Sequence, residues 1–183
     1  MIGEAVDDAY MEELKKQVIH QDAIDQMNKD LKIVYSPLHG TGNIPVRRIL
    51  KELGFENVYV VKEQELPDGN FPTVSYPNPE AKEAFELGLK LAKDVDADLV
   101  LATDPDADRL GVYVKDTKSG EYKVLTGNMS GCLLADYEIS QTKAVKGLPK
   151  DGCLIKSIVT SNMAKAIAES YGVKLIDVLT GFK

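Results

Sequence analysis

Asp104, Asp106 and Asp108 stand at alternate positions in the run Ala-Thr-Asp-Pro-Asp-Ala-Asp-Arg, with Arg109 directly behind them. Carboxylates are the hard oxygen ligands that Mg²⁺ and Ca²⁺ take. In an extended strand the outer two would lie roughly 13 Å apart at about 3.3 Å per residue, too far to share one cation held at about 2.0–2.6 Å. The segment must therefore curl if the three are to converge, and Pro105 helps to end the strand that delivers them. Carboxylates crowded within a few ångströms repel unless a cation joins them, and crowding should raise their proton affinities in its absence. Mg²⁺ keeps waters and shares its shell with substrate phosphate, so three protein carboxylates need not fill six positions. Arg109 either neutralises part of the cluster or aims its planar fork at a phosphate. The bland alternative is a solvated acidic turn. An EF-hand is excluded by Arg109 where glycine is wanted and by Lys115 where the final glutamate belongs.

A second candidate is Gly40-Thr41-Gly42, which follows a strand-like run and opens a helical pattern, with Glu63 about twenty residues on. This is a partial dinucleotide fingerprint, broken by Pro45 at the third glycine position, where close helix packing is required. A nucleotide site, a plain strand-to-helix turn and a loop facing an active site all remain open, and His39 beside the glycines reads as structural. The third candidate is Thr180-Gly181-Phe182-Lys183, beyond another strand. Its amides, hydroxyl and ammonium suit a sugar phosphate, with a frayed end as the alternative.

The elements that must position these residues follow from periodicity. A stripe of Tyr10, Leu14, Val18, Ile24 and Met27 predicts an amphipathic helix over residues 6–29, broken near Gln21. A strand over 31–35, a helix carrying Val46, Ile49, Leu50 and Leu53 up to Gly54, and a strand over 58–61 write one βαβ unit. Residues 62–79, rich in proline, form an irregular connection. A helix over 79–93 with Pro79 at its first position leads to a strand over 97–103, whose apolar run suits burial on both faces. A hairpin of 110–114 and 122–125 follows, then a helix over 129–142 and a further strand, helix and strand over 154–159, 162–171 and 173–179. The expected fold is α/β, a three-layer arrangement with a mixed, mostly parallel sheet of repeated βαβ units, plus a partial second α/β domain. Starting on a helix and stopping just past a strand, the chain reads as a piece of something larger.

Composition is that of a globular protein, 183 residues with 44% hydrophobic and 28% charged. A formal charge of -7 without any basic run argues against a nucleic-acid partner and against an anionic membrane surface. Cys132 and Cys153 fit no disulfide framework and read as buried free thiols. No apolar stretch reaches the ~20 residues of a membrane span and no signal pattern opens the chain, so a cytoplasmic location is expected.

Taken together, Ser36-Pro37-Leu38-His39-Gly40-Thr41-Gly42, Pro67-Asp68-Gly69-Asn70-Phe71-Pro72, Tyr76-Pro77-Asn78-Pro79-Glu80, Thr103 to Arg109 and Leu179 to Lys183 resemble the α-D-phosphohexomutases in their phosphoglucomutase/phosphomannomutase branch. The resemblance runs from about Gly3 to Lys183. It implies a four-domain enzyme with a central cleft, in which a phosphoserine of domain I phosphorylates a hexose phosphate and a hexose bisphosphate intermediate returns the other phosphoryl group. Mg²⁺ would bind the serine phosphate and Asp104, Asp106 and Asp108. Arg109 matches the family's arginine beside the metal loop, with a catalytic role. Thr180 and Gly181 match the domain III loop near the sugar, and Lys156 and Lys183 are weaker substrate-binding candidates.

Departures from the pattern matter equally. The phosphoserine loop pairs Ser-His-Asn, yet neither His20 nor His39 precedes an asparagine. The sugar-selecting loop of domain III and the phosphate-gripping domain IV are also missing. The resemblance thus implies domain II over residues 1–124 and an incomplete domain III over 125–183. Its parent would interconvert hexose 1- and 6-phosphates, glucose first, while the piece is inactive without domains I and IV and the rest of domain III. A haloacid-dehalogenase-like phosphatase is the alternative enzyme, since an apolar strand ending in Asp-x-Asp is its nucleophile pattern, but Asp108 stands where threonine or valine is expected. The non-catalytic alternative is an interaction module.

Overall fold

Two helices precede the first strand in the computed structural model, which describes residues 3–181. They are α1 (Glu4–Lys15) and α2 (Gln21–Met27), so the break expected near Gln21 falls over residues 16–20. Met11 is the buried anchor of α1, whereas Tyr10 of the expected stripe is 54% exposed. The reason is tertiary: α1 packs chiefly against the helix α3 (Asn43–Glu52), with Arg48 to Asp8 at 2.6 Å and Lys15 to Glu52 at 2.7 Å. One such contact buries a narrower stripe than the sequence supplies.

β1 (Lys32–Ser36) is an inner strand of the sheet, and Ile33, Val34 and Tyr35 are all buried, as suits β-branched and aromatic residues in a strand covered on both faces. It runs parallel to β2 (Asn57–Val60) on one side and to β3 (Leu99–Thr103) on the other, with Val34 opposite Tyr59 and Val100. The antiparallel strands β4 (Leu110–Lys115) and β5 (Tyr122–Leu125) extend the sheet in the order β2-β1-β3-β4-β5. The sheet is thus mixed, with parallel pairing confined to β1, β2 and β3.

Crossover α3 carries the chain from β1 outward to β2, and α4 (Glu86–Val95) carries it back past β1 to β3. Right-handed crossovers in opposite directions put the two helices on opposite faces. On the α4 side Val34, Val61, Phe85, Ala92, Val100 and Ala102 pack into one core cluster. The expected helix start at Pro79 does not form. Asn78 holds a turn there, its carbonyl accepting from the Ala81 amide and its side-chain oxygen from the Glu80 amide, both at 2.9 Å. A 3₁₀ turn over Lys82–Phe85 then leads into α4.

Because β1 leads outward to β2 while β3 returns on its other side, the chain reverses direction of travel between β1 and β3. The crevice beyond the carboxyl ends of two such strands is where open α/β sheets bind ligands. Both the Gly40-Thr41-Gly42 loop and the aspartate run leave the sheet there.

The chain divides into two units between Leu125 and Thr126. The second begins with α5 (Gly127–Val145), whose first turn is capped by the Thr126 hydroxyl accepting from the Met129 amide at 3.3 Å. Parallel strands β6 (Cys153–Ser157) and β7 (Lys174–Val178) flank α6 (Met163–Tyr171). Cys132, Ile139 and Ile167 make its small core, while Leu133, Leu134, Ile155 and Val159 stay exposed. Cys132 and Cys153 are both free thiols, but Cys153, at the open start of β6, is exposed rather than buried. Among the described residues no helix is long and apolar enough to cross a membrane.

Candidate metal centre

β3 ends at Thr103, and the next residue, Asp104, is 1% exposed. Its carbonyl accepts from the Ala107 amide at 2.9 Å, closing a turn with Pro105 and Asp106 at the centre. Ala107 then adopts a left-handed φ of 59°, which sends the chain back into β4. Proline suits the second position of such a turn because its φ is already set. The extended spacing is thereby folded up: Asp104, Asp106 and Asp108 each offer an oxygen within 4.8 Å of the others'. Asp104 forms the buried base, and Asp106 and Asp108 are exposed.

Arg109 holds that base. Its backbone N–H donates to Asp104 Oδ1 at 3.0 Å and its Nε to Oδ2 at 2.5 Å, while Asp108 Oδ1 lies 3.7 Å from the same Nε. Burial acts to raise the Asp104 carboxyl, but the amide and guanidinium of Arg109 outweigh it and hold the group below its ordinary pKa. The expected rise in proton affinity therefore falls on Asp108 instead, chiefly through the charge of Asp106. The guanidinium is itself held above its usual value by Asp104. The triad is thus asymmetric, with a buried member that Arg109 makes harder to protonate and an outer one that is easier to protonate.

The loop after β1 supports the turn from beneath. A Cβ on Gly40 would sit 2.4 Å from Pro105 Cα, so only glycine permits this approach. Thr41 donates its amide to the Pro105 carbonyl at 2.8 Å and its hydroxyl to the same oxygen at 3.1 Å. A Cβ on Gly42 would fall 2.5 Å from the Tyr35 hydroxyl, which shares a 2.8 Å hydrogen bond with Thr103 Oγ1 at the end of β3. Both glycines therefore serve contact with the aspartate loop. Close packing of protein atoms against both glycines explains them without a pyrophosphate, which argues against the dinucleotide reading.

His39 proves to be a buried tie. The Leu66 carbonyl 3.1 Å from Nδ1 can only accept, so Nδ1 donates to it, and Nε2 pairs with the Thr73 hydroxyl at 2.9 Å. Thr73 also accepts from Gln64 Nε2 at 3.1 Å, and Gln64 Oε1 accepts from the Ser36 hydroxyl at 2.6 Å. This network pins residues 62–73 to the end of β1. A cleft of about 210 Å³ opens beside it, lined by His39, Thr41, Asp68, Phe71 and Pro105 among others. A larger cleft of about 500 Å³ runs along α3, away from the triad, and its Arg47 and Arg48 are paired with Glu65, Asp8 and Glu52.

In the second unit the Lys156 side chain is buried, its ammonium 2.6 Å from Asp177 Oδ1 and donating to the Thr160 carbonyl at 3.3 Å. Thr180 and Gly181 are exposed just past β7, with Gly181 at a φ of 75°. Lys183 lies outside the described residues. Sequence reasoning missed the roles of Thr41, Gln64 and Thr73. No local signal marks Gln64 or Thr73, whereas the glycines around Thr41 announced a close approach without saying to what.

Residues 8–120 match the phosphoglucomutase/phosphomannomutase alpha/beta/alpha domain II, and residues 126–183 match domain III of the same family. A phosphoglucomutase of Staphylococcus saprophyticus is 43% identical over 97% of this chain and 31% of its own length. A phosphoribomutase of Saccharomyces cerevisiae is 40% identical over 95% of this chain and 29% of its own. The chain thus spans under a third of the length of these relatives. The crystal structure of a phosphoglucomutase/phosphomannomutase family protein from Burkholderia thailandensis superposes with a TM-score of 0.67, covering 96% of this chain and 33% of that one, and at 23% identity it speaks for the fold alone. On the match of its first unit to domain II and its second to domain III, the chain belongs to the phosphoglucomutase/phosphomannomutase family.

Proposed function

We propose that this chain supplies the divalent-cation loop of a phosphohexomutase whose whole form interconverts hexose 1-phosphate and hexose 6-phosphate, glucose phosphate first. The observation that carries this reading is the convergence of three carboxylates, with Arg109 beside them, beyond the ends of β1 and β3. The donor set suits Mg²⁺, which takes hard oxygens and leaves positions for phosphate and water. Asp104 accepts one hydrogen bond from Arg109 on each oxygen, and each oxygen keeps a lone pair for a cation. Bound there, Mg²⁺ supplies charge compensation to phosphoryl oxygens.

The chain's own groups do the rest. Asp104 fixes the base of the site, and Asp106 and Asp108 close it from the solvent side. Arg109, 48% exposed and engaging Asp104 through its inner nitrogen, offers its outer fork to the equatorial oxygens of a phosphoryl group in transfer. Thr180 and Gly181 approach the sugar phosphate, with Lys183 as a lesser contact and Lys156, its ammonium already held by Asp177, the weakest of the four. Residues 1–124 serve as domain II and 125–183 as part of domain III. The phosphoserine, the remaining sugar contacts and the phosphate grip come from domains I, III and IV of a cytoplasmic parent.

Asp104 is a poor candidate for the nucleophile of a phosphatase, being 1% exposed with both oxygens held by Arg109. A pentose phosphate is the second substrate reading, because the relative named phosphoribomutase is nearly as similar as the phosphoglucomutase. A coupled assay of glucose 1-phosphate conversion with Mg²⁺ and glucose 1,6-bisphosphate tests the proposal. Turnover is expected from the four-domain protein, abolished by Asp108→Ala, and none from the 183-residue chain. Turnover by this chain alone, scaling with its concentration, would contradict it, as would full activity of the variant.

A further inference from the structure

We propose that Thr41 is a positioning residue for the aspartate loop, its hydroxyl fixing the Pro105 carbonyl so that Asp104, Asp106 and Asp108 face one cation. The inference rests on the metal reading above and deepens it.

Pro105 and Asp106 are the central residues of the turn that brings the carboxylates together, so the orientation of the peptide between them sets where the Asp106 side chain starts. That peptide's carbonyl accepts two hydrogen bonds, and both come from Thr41: the amide at 2.8 Å and Oγ1 at 3.1 Å. Within the turn itself the Ala107 amide donates to the Asp104 carbonyl at 2.9 Å, and across its mouth the Asp104 amide donates to the Arg109 carbonyl at 3.4 Å, but neither bond touches the peptide between Pro105 and Asp106. Ala107 sits at a φ of 59°, a conformation that non-glycine residues resist. Arg109 holds the Asp104 end of the turn, and Thr41 is placed to hold its centre.

Thr41 is in turn delivered by a strained segment. Leu38 and His39 have φ values of 46° and 60°, and the Gly40 amide donates to the Pro37 carbonyl at 2.9 Å, closing a turn with two consecutive left-handed residues. Such turns favour asparagine and glycine, and strain of this kind persists only where surrounding structure over-determines it. Here Leu38 is fully buried, and His39 is fixed at both ring nitrogens by Leu66 and Thr73. Gly40 follows, with no Cβ to keep Pro105 away. The result is a rigid path from the end of β1 to one carbonyl of the metal loop. Thr41 itself is exposed, so its hydroxyl is not part of the core.

The test is Mn²⁺ binding to the 183-residue chain, followed by the loss of the free-ion paramagnetic resonance signal, with thermal unfolding measured on the same samples. Thr41→Val and Thr41→Ala keep the amide bond and delete the hydroxyl. Both should weaken Mn²⁺ binding by about 2–10-fold, the range expected for one net hydrogen bond, with the thermal midpoint unchanged. Thr41→Ser should bind within twofold of the wild type. Gly40→Ala, which pushes Pro105 away, should lose at least as much affinity as Thr41→Val. Wild-type affinity in Thr41→Val and Thr41→Ala would overturn the role of Thr41 and leave the metal reading standing. Equal weakening in Thr41→Ser would also overturn it, and absence of Mn²⁺ binding to the wild type would overturn both.

Discussion

Arg109 reaches Asp104 twice across five residues, through its backbone N–H to Oδ1 at 3.0 Å and through Nε to Oδ2 at 2.5 Å. The strand end and the return strand are thus joined by a carboxylate that solvent scarcely touches. Arg109→Ala removes the guanidinium but keeps the amide bond, leaving a buried charge half compensated. The expected cost is roughly 1–3 kcal/mol, moderated by the exposure of the arginine, and is read from the urea midpoint. Arg109→Lys should recover part of it.

Asp108 illustrates the conflict between stability and site. The charges of Asp106 and Asp104 bear on it, and its carboxyl is held above its ordinary pKa. Asp108→Asn should raise the thermal midpoint in the absence of divalent cations while weakening Mg²⁺ binding by more than the ~10–100-fold typical of losing outer-shell support. Differential scanning calorimetry with and without Mg²⁺ reads both effects.

Acid sensitivity should arise partly from Glu83, which accepts from the Ser75 hydroxyl at 2.6 Å and the Ser75 amide at 2.9 Å and is held below the ordinary glutamate pKa by them. In the unfolded chain the same carboxyl takes up a proton at higher pH. Its contribution is complete above that unfolded value and is lost as pH falls through the lower folded value. Denaturant midpoints measured from pH 6 down to pH 3 should fall less steeply for Glu83→Gln than for the wild type.

The buried network behind the site gives a further expectation. Gln64 is 1% exposed and joins Ser36 to Thr73. Gln64→Leu leaves both hydroxyls short of a partner, at a cost of about 2–4 kcal/mol in denaturant unfolding. Thr73 also holds His39, so the amides of residues 66–73 should exchange faster with solvent in this variant.

The βαβ order, the hairpin after the aspartates and the convergence of the aspartates themselves were legible because periodicity and composition are local. Gly54, with a φ of 101° after α3, and Gly172, with a φ of 73° after α6, lie where glycine punctuation ends a helix. What sequence could not supply were contacts set by the sheet. Pro79 had the residue type of a helix start, but Asn78 captured the turn. Met11 rather than Tyr10 became the buried residue of α1 because α3 decides which face is covered. Thr41 was visible only as a residue between two glycines, since its partner Pro105 is sixty-four positions away. Asp104 was legible as a member of an acidic cluster, whereas its burial and its depressed pKa depend on how Arg109 folds back.

The central claim is that Asp104, Asp106 and Asp108 form one divalent-cation site, and amide chemical shifts during a Mg²⁺ titration of the ¹⁵N-labelled chain test it most directly. Saturable shifts centred on residues 103–109 are predicted, with a shared dissociation constant, and they should vanish in Asp106→Asn. Shifts that never saturate, or that persist unchanged in Asp106→Asn, would contradict it.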